Sequence, residues 1–123
     1  MKAIHYDTEG DILTVTFSDG QRLNQQGIEL SENIVLYYDP TAEEPIALIL
    51  LSYKALLRES EQHPITLDGL ERAPQSVQKI IQSLLKRVPL SIFLEISERQ
   101  NGAAPTSRLH EIFAPTALEL VTA

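Results

Sequence analysis

The sequence predicts an α+β protein built as one domain: an N-terminal antiparallel β-meander on which a C-terminal amphipathic helix and further strands pack. Three observations carry this expectation. Up to about residue 60, apolar residues recur at every second position between turn signals, as in half-buried strands. In residues 61–123, one long stretch places apolar residues three and four apart, as in a helix with one buried face. A length of 123 residues, 43% of them apolar and 22% charged, suits one core and is short for two.

Ile4 and Tyr6 alternate with His5 in the first strand, and the polar cluster Asp7-Thr8-Glu9-Gly10-Asp11 reads as a tight reversal in which Gly10 supplies a positive φ. Residues 12–17 put Leu13, Val15 and Phe17 on one face and Ile12, Thr14 and Thr16 on the other. Asp19-Gly20 marks a second turn. Residues 22–30 form a weaker third strand with a kink at Gly27, residues 34–38 a fourth, and Asp39-Pro40 opens a turn that runs to Pro45. Tyr37 and Tyr38 are adjacent, so one phenol must point away from the core, where it suits an interface. Residues 46–51 are apolar at every position, which predicts a central strand covered on both faces.

Ser52 is placed to cap a short helix over residues 53–59, and Pro64 separates it from a short strand at 65–67. The strongest helix runs from Pro74 to Val88, with Val77, Ile80, Ile81, Leu84, Leu85 and Val88 on one side. Pro89 ends it. Leu90, Ile92, Leu94 and Ile96 then alternate with polar or outward positions, predicting a strand over 90–98 that extends the main sheet. A further strand is expected at 108–113, and Pro115 opens a last short helix over 116–121. No internal repeat or low-complexity tract stands out, and the change of period near residue 60 reads as a boundary between layers of one domain.

Seventeen acids against ten bases give a net charge of −7. The excess lies wholly in residues 1–52, with nine acids and two bases, whereas residues 53–123 hold eight of each. An acidic surface repels phosphate and anionic headgroups, so nucleic acid and membrane surfaces are not expected as partners, while a basic protein would be steered toward it. No apolar run exceeds six residues, so neither a signal peptide nor a membrane span is expected. Cysteine is absent, which excludes disulfides and thiolate chemistry and fits a reducing compartment such as the cytoplasm.

Residues 4–57 resemble the family called domain of unknown function 2283. The resemblance rests on Tyr6-Asp7 followed by Gly10-Asp11-Ile12-Leu13, on Phe17-Ser18, on the strand from Ile34 to Tyr38 closing on Asp39, and on the apolar run ending at Leu51. Ala47 stands where the family pattern has a glycine, and Ser52 where it has an acid. The resemblance implies a small β-rich fold and brings no activity or catalytic residue.

No catalytic, cofactor-binding or metal-ligating residue can be assigned. Asp7, Glu9 and Asp11 alternate, but a calcium loop of the EF-hand type needs glycine sixth and glutamate twelfth; here Gly10 is fourth and Ser18 twelfth. His5, His63 and His110 are far apart; His110-Glu111 could meet His5 only if their strands adjoined. Serines lack a nucleophile elbow, and no glycine-rich phosphate loop exists. Arg72, Lys79, Lys86 and Arg87 form the one basic surface, without aromatic residues between them to stack on bases. The expectation is a non-enzymatic accessory or protein-interaction module, a homodimer or higher assembly, with no cofactor. The alternative is a small enzyme or ligand-binding domain using carboxylates and histidines that the fold gathers.

Overall fold

A computed structural model describes residues 3–18, 24–99 and 103–110. The first five strands, β1 (Ala3–Asp7), β2 (Ile12–Thr16), β3 (Gln26–Ser31), β4 (Ile34–Asp39) and β5 (Glu44–Leu51), form one antiparallel sheet. Its order is β1-β2-β5-β4-β3: strands β3 to β5 follow one another as a meander, and the hairpin β1–β2 adds to the free edge of β5. The run predicted to be central therefore is the middle strand.

Period two does its work here. Along β5 buried and half-buried residues alternate, so Ile46, Leu48 and Leu50 face inward with Leu13 and Val15 of β2 and Ile34 and Leu36 of β4. Residues of both longer helices and of the second sheet join these in one core cluster. Helix α1 (Tyr53–Gln62) buries Tyr53, Leu56, Leu57 and Ser60, an i, i+3, i+4, i+7 stripe. Helix α2 (Gln75–Leu85) buries Ile81, Leu84 and Leu85 of the expected stripe, but it stops three residues short of the expected end, and Val88, expected on the buried side, is 73% exposed. Two edge-to-face aromatic pairs join layers: Tyr6 with Tyr53 at 6.0 Å and Phe17 with Phe93 at 5.9 Å between ring centroids.

A second sheet holds β6 (Ile65–Thr66), β7 (Leu94–Ser97) and β8 (Thr106–Leu109) in the order β6-β8-β7. It is tied to α1 through Ser60, whose Oγ accepts from the Leu109 amide at 3.0 Å and whose carbonyl accepts from Arg108 Nη1 at 2.8 Å. This corrects the expected strand over 90–98 in two respects. Residues Leu90–Phe93 form a single helical turn, α3, and β7 pairs with β8 instead of extending the main sheet. After Pro89 the apolar positions serve a helical face: Leu90, Phe93 and Leu94 are buried, while Ile92 points outward and is 47% exposed. The strand expected at 108–113 begins earlier, at Thr106, and its end, the helix over 116–121 and the Asp19-Gly20 turn lie outside the described residues.

A 3-10 turn at Asp68–Leu70 seals the β3 edge, with Gly69 pressed on the strand: a Cβ there would lie 1.7 Å from the Glu29 carbonyl oxygen. The obstacle is backbone, which cannot swing aside. Gly69→Ala is expected to cost about 1–3 kcal/mol in urea unfolding, the range of an overpacked core. A loss under about 0.5 kcal/mol, the range of surface changes, would show that the turn does not seat on β3.

Candidate functional site

The acids of the first turn are occupied by backbone. Asp7 Oδ1 accepts from the amides of Glu9 at 3.1 Å and Gly10 at 3.2 Å. Asp39 repeats this after β4, accepting from Thr41 at 2.9 Å and Ala42 at 3.0 Å. In both hairpins a Tyr-Asp pair ends the outer strand, and the residue just before the inner strand has a positive φ: 55° at Asp11 and 54° at Glu43. The left-handed residue of the first turn is thus Asp11 and not Gly10, as aspartate tolerates this region better than most.

From that position Asp11 reaches helix α1. Both carboxylate oxygens accept from the Lys54 amide at 3.2 Å, and the Asp11 carbonyl accepts from the Tyr53 amide at 2.9 Å. Tyr6 donates its hydroxyl to Asp11 Oδ1 at 2.5 Å. The α1 cap therefore comes from the first hairpin. Ser52, expected to cap, has a left-handed backbone (φ 50°) and makes no side-chain cap bond. The Tyr6-Asp7 and Gly10-Asp11 frame turns the chain and docks a helix.

The histidines do not gather. His5 lies on the outer face of β1, whereas its neighbour Ile4 faces inward and lines a small cavity that His110 also borders. Glu111 lies outside the described residues. His63 closes α1, with Nδ1 3.4 Å from the Pro64 carbonyl. His110 shares an open groove of about 420 Å³ with Ser91 and Glu95. Its Nδ1 is 3.0 Å from the Ile92 carbonyl and its Nε2 is 3.4 Å from Glu95 Oε2. Both ring nitrogens therefore face oxygen acceptors and not a hydroxyl. That order does not build a nucleophile and its base. Among the described residues no three His, Asp or Glu side chains are grouped to hold a metal ion.

The basic surface is partly spent: Lys86 pairs with Glu98 at 2.5 Å, and Arg87 donates to the carbonyls of Ser83 and Glu43, each at 3.2 Å. Tyr38 is buried with its hydroxyl donating to Gln26 Oε1 at 3.2 Å, and burial raises its phenol above the ordinary value. No helix among the described residues is long and apolar enough to cross a membrane.

What remains is the outer face of the five-stranded sheet. Its middle row runs His5–Thr14–Ile49–Val35–Glu29 across β1, β2, β5, β4 and β3. Beside it lie Ala3–Thr16–Ala47–Tyr37–Gly27 and, at the other end, Asp7–Ile12–Leu51. Ile12, Val35, Ile49 and Leu51 are half-buried by one another, yet none belongs to or packs against the core cluster. Tyr37 is the phenol that leaves the core. It lies against Gly27, where a Cβ would stand 2.9 Å from its ring, so the ring lies along the sheet and the face stays level. The sequence expectation that β5 is covered on both sides is met on the inner face only, among the described residues.

No family model matches the chain, and neither a curated protein nor a solved structure matches it.

The two candidate caps of α1 are separable. Asp11→Ala is expected to cost about 1–2 kcal/mol in chemical unfolding, the value of a lost cap, while Ser52→Ala stays within about 0.5 kcal/mol. The reverse ranking would return the cap to Ser52.

Proposed function

We propose that this chain is a non-enzymatic accessory module that binds protein through the outer face of its five-stranded sheet and works as a homo-oligomer. The observation that supports this most is the group of aliphatic side chains Ile12, Val35, Ile49 and Leu51 on the outer face, none of which belongs to or packs against the core cluster. Contiguous apolar surface rimmed by polar groups is characteristic of interaction sites. Here Thr14 and Thr16 interleave with the aliphatic groups, and His5, Asp7 and Glu29 rim them. The carboxylates that could have served chemistry are committed to turns at Asp7 and Asp39 and to the α1 cap at Asp11. The ring nitrogens of His110 face the Ile92 carbonyl and the Glu95 carboxylate.

Exposed acids at both hairpin turns, Glu9 and Glu43 among them, favour a basic protein over nucleic acid or an anionic membrane as any further partner. The lack of cysteine suits work in the cytoplasm.

Affinity capture with the whole chain as bait tests the reading. Wild type is expected to retain protein, whether further copies of itself or another chain, that Ile49→Lys loses while its circular dichroism is unchanged. Identical capture by both baits would contradict it.

A further inference from the structure

The geometry points to a second copy of this chain as the occupant of the outer sheet face, stacked about a two-fold axis that runs parallel to β5. This rests on the reading of that face as an interaction surface and adds which partner it takes and in which orientation.

The argument begins with the position of β5. It is the middle strand, so an axis lying over it sets β1 of one copy over β3 of the other, and β2 over β4. Rows keep their height along the strands. In the middle row Ile49 then meets its own equivalent, Thr14 meets Val35, and His5 meets Glu29. Each flank brings an imidazole N–H toward a carboxylate, and the symmetry makes this happen twice. An axis across the strands would set His5 on His5 and Glu29 on Glu29, placing like carboxylates together, which is unfavourable. In the next row the small residues Ala3, Ala47 and Gly27 stand at the edges and centre, so two backbones can approach while Tyr37 lies flat over Gly27.

The size is adequate and not generous. Strands spaced about 4.8 Å apart and rising about 3.4 Å per residue give five short strands a footprint of about 450 Å² per copy. Counting side-chain relief, the pair removes about 1,000 Å² from water, at the lower end of specific interfaces. A pairing at this lower end of the size range is expected to dissociate on dilution. Facing sheets pack with strands within about 30° of each other, which keeps the flanking His5 and Glu29 within side-chain reach.

Light scattering behind a sizing column, on the whole chain over a dilution series reaching about 100 µM, tests the pairing. The expected mass is twice 13.8 kDa at the top of the series, falling toward 13.8 kDa on dilution. A mass of 13.8 kDa throughout would overturn the proposal. In that event, protein capture by wild type and not by Ile49→Lys would assign the face to a different protein and leave the interaction reading standing. A fall in melting temperature of monomeric Ile49→Lys would instead mean that the chain covers this face itself. If dimers form, Ile49→Lys and Val35→Lys, each checked by circular dichroism, are expected to be monomeric; persistent dimers in a folded variant would place the interface elsewhere and overturn the proposal. The orientation has its own test. His5→Glu is expected to weaken the dimer about tenfold by opposing carboxylates, and adding Glu29→Lys to restore it. Failure of the double variant to restore pairing would contradict the axis along β5.

Discussion

Residues 46–51 of β5 are apolar at every position and so carry apolar side chains on both faces of the sheet, and this chain, as far as it is described, covers only one of those faces with its core. That constraint organises the molecule. Every helix and the second sheet lie on the side of Leu48 and Leu50, which are fully or almost fully buried. The hydrophobic effect scales with apolar area removed from water, so the inner face draws α1, α2 and α3 into one layer. The opposite face keeps Ile49, Val35 and Leu51 together but half in water. Thr14 and Thr16 dilute the apolar surface there, and His5 and Glu29 stand at its edges.

The inner layer is registered by polar contacts of long sequence separation. Asp11 holds the start of α1 against the first hairpin, and Ser60, the fourth residue of its buried stripe, holds it against β8. Helix α1 is thereby fixed between the two sheets. Charge-bearing and hydroxyl side chains in such places satisfy backbone amides that would otherwise be buried without partners. The consequence for function is direct: Asp7, Asp11 and Asp39 are architectural, so the acidic first half owes part of its composition to turns and a cap.

Much of this was legible in the sequence, for physical reasons that can be named. Alternation in β2 and β4 and the stripe of α2 as far as Leu85 report burial on one side of regular elements. The adjacency of Tyr37 and Tyr38 was enough to send one ring outward. The misread segment at residues 90–98 shows where periodicity fails: four apolar residues at even spacing fit a strand, yet Leu90, Phe93 and Leu94 also fit one helical turn, with Pro89 at its N-cap. The α1 cap was misassigned to Ser52 because its true source lies 43 residues away from Lys54 in sequence, and no local pattern reports a contact of that kind. The outer face was legible only as an excess of apolar residues in 46–51. Which residues share it, and that His5 and Glu29 stand at opposite ends of one row, required the strand order.

The most direct measurement of the account is an isotope-filtered nuclear Overhauser experiment on a mixture of methyl-labelled and unlabelled chains at high concentration. The account predicts contacts between copies from Val35 methyl groups to Thr14, and from Ile49 to Ile49, with none from the inward-facing Leu48. Contacts between copies that avoid Val35 and Ile49, or none at all, would contradict it.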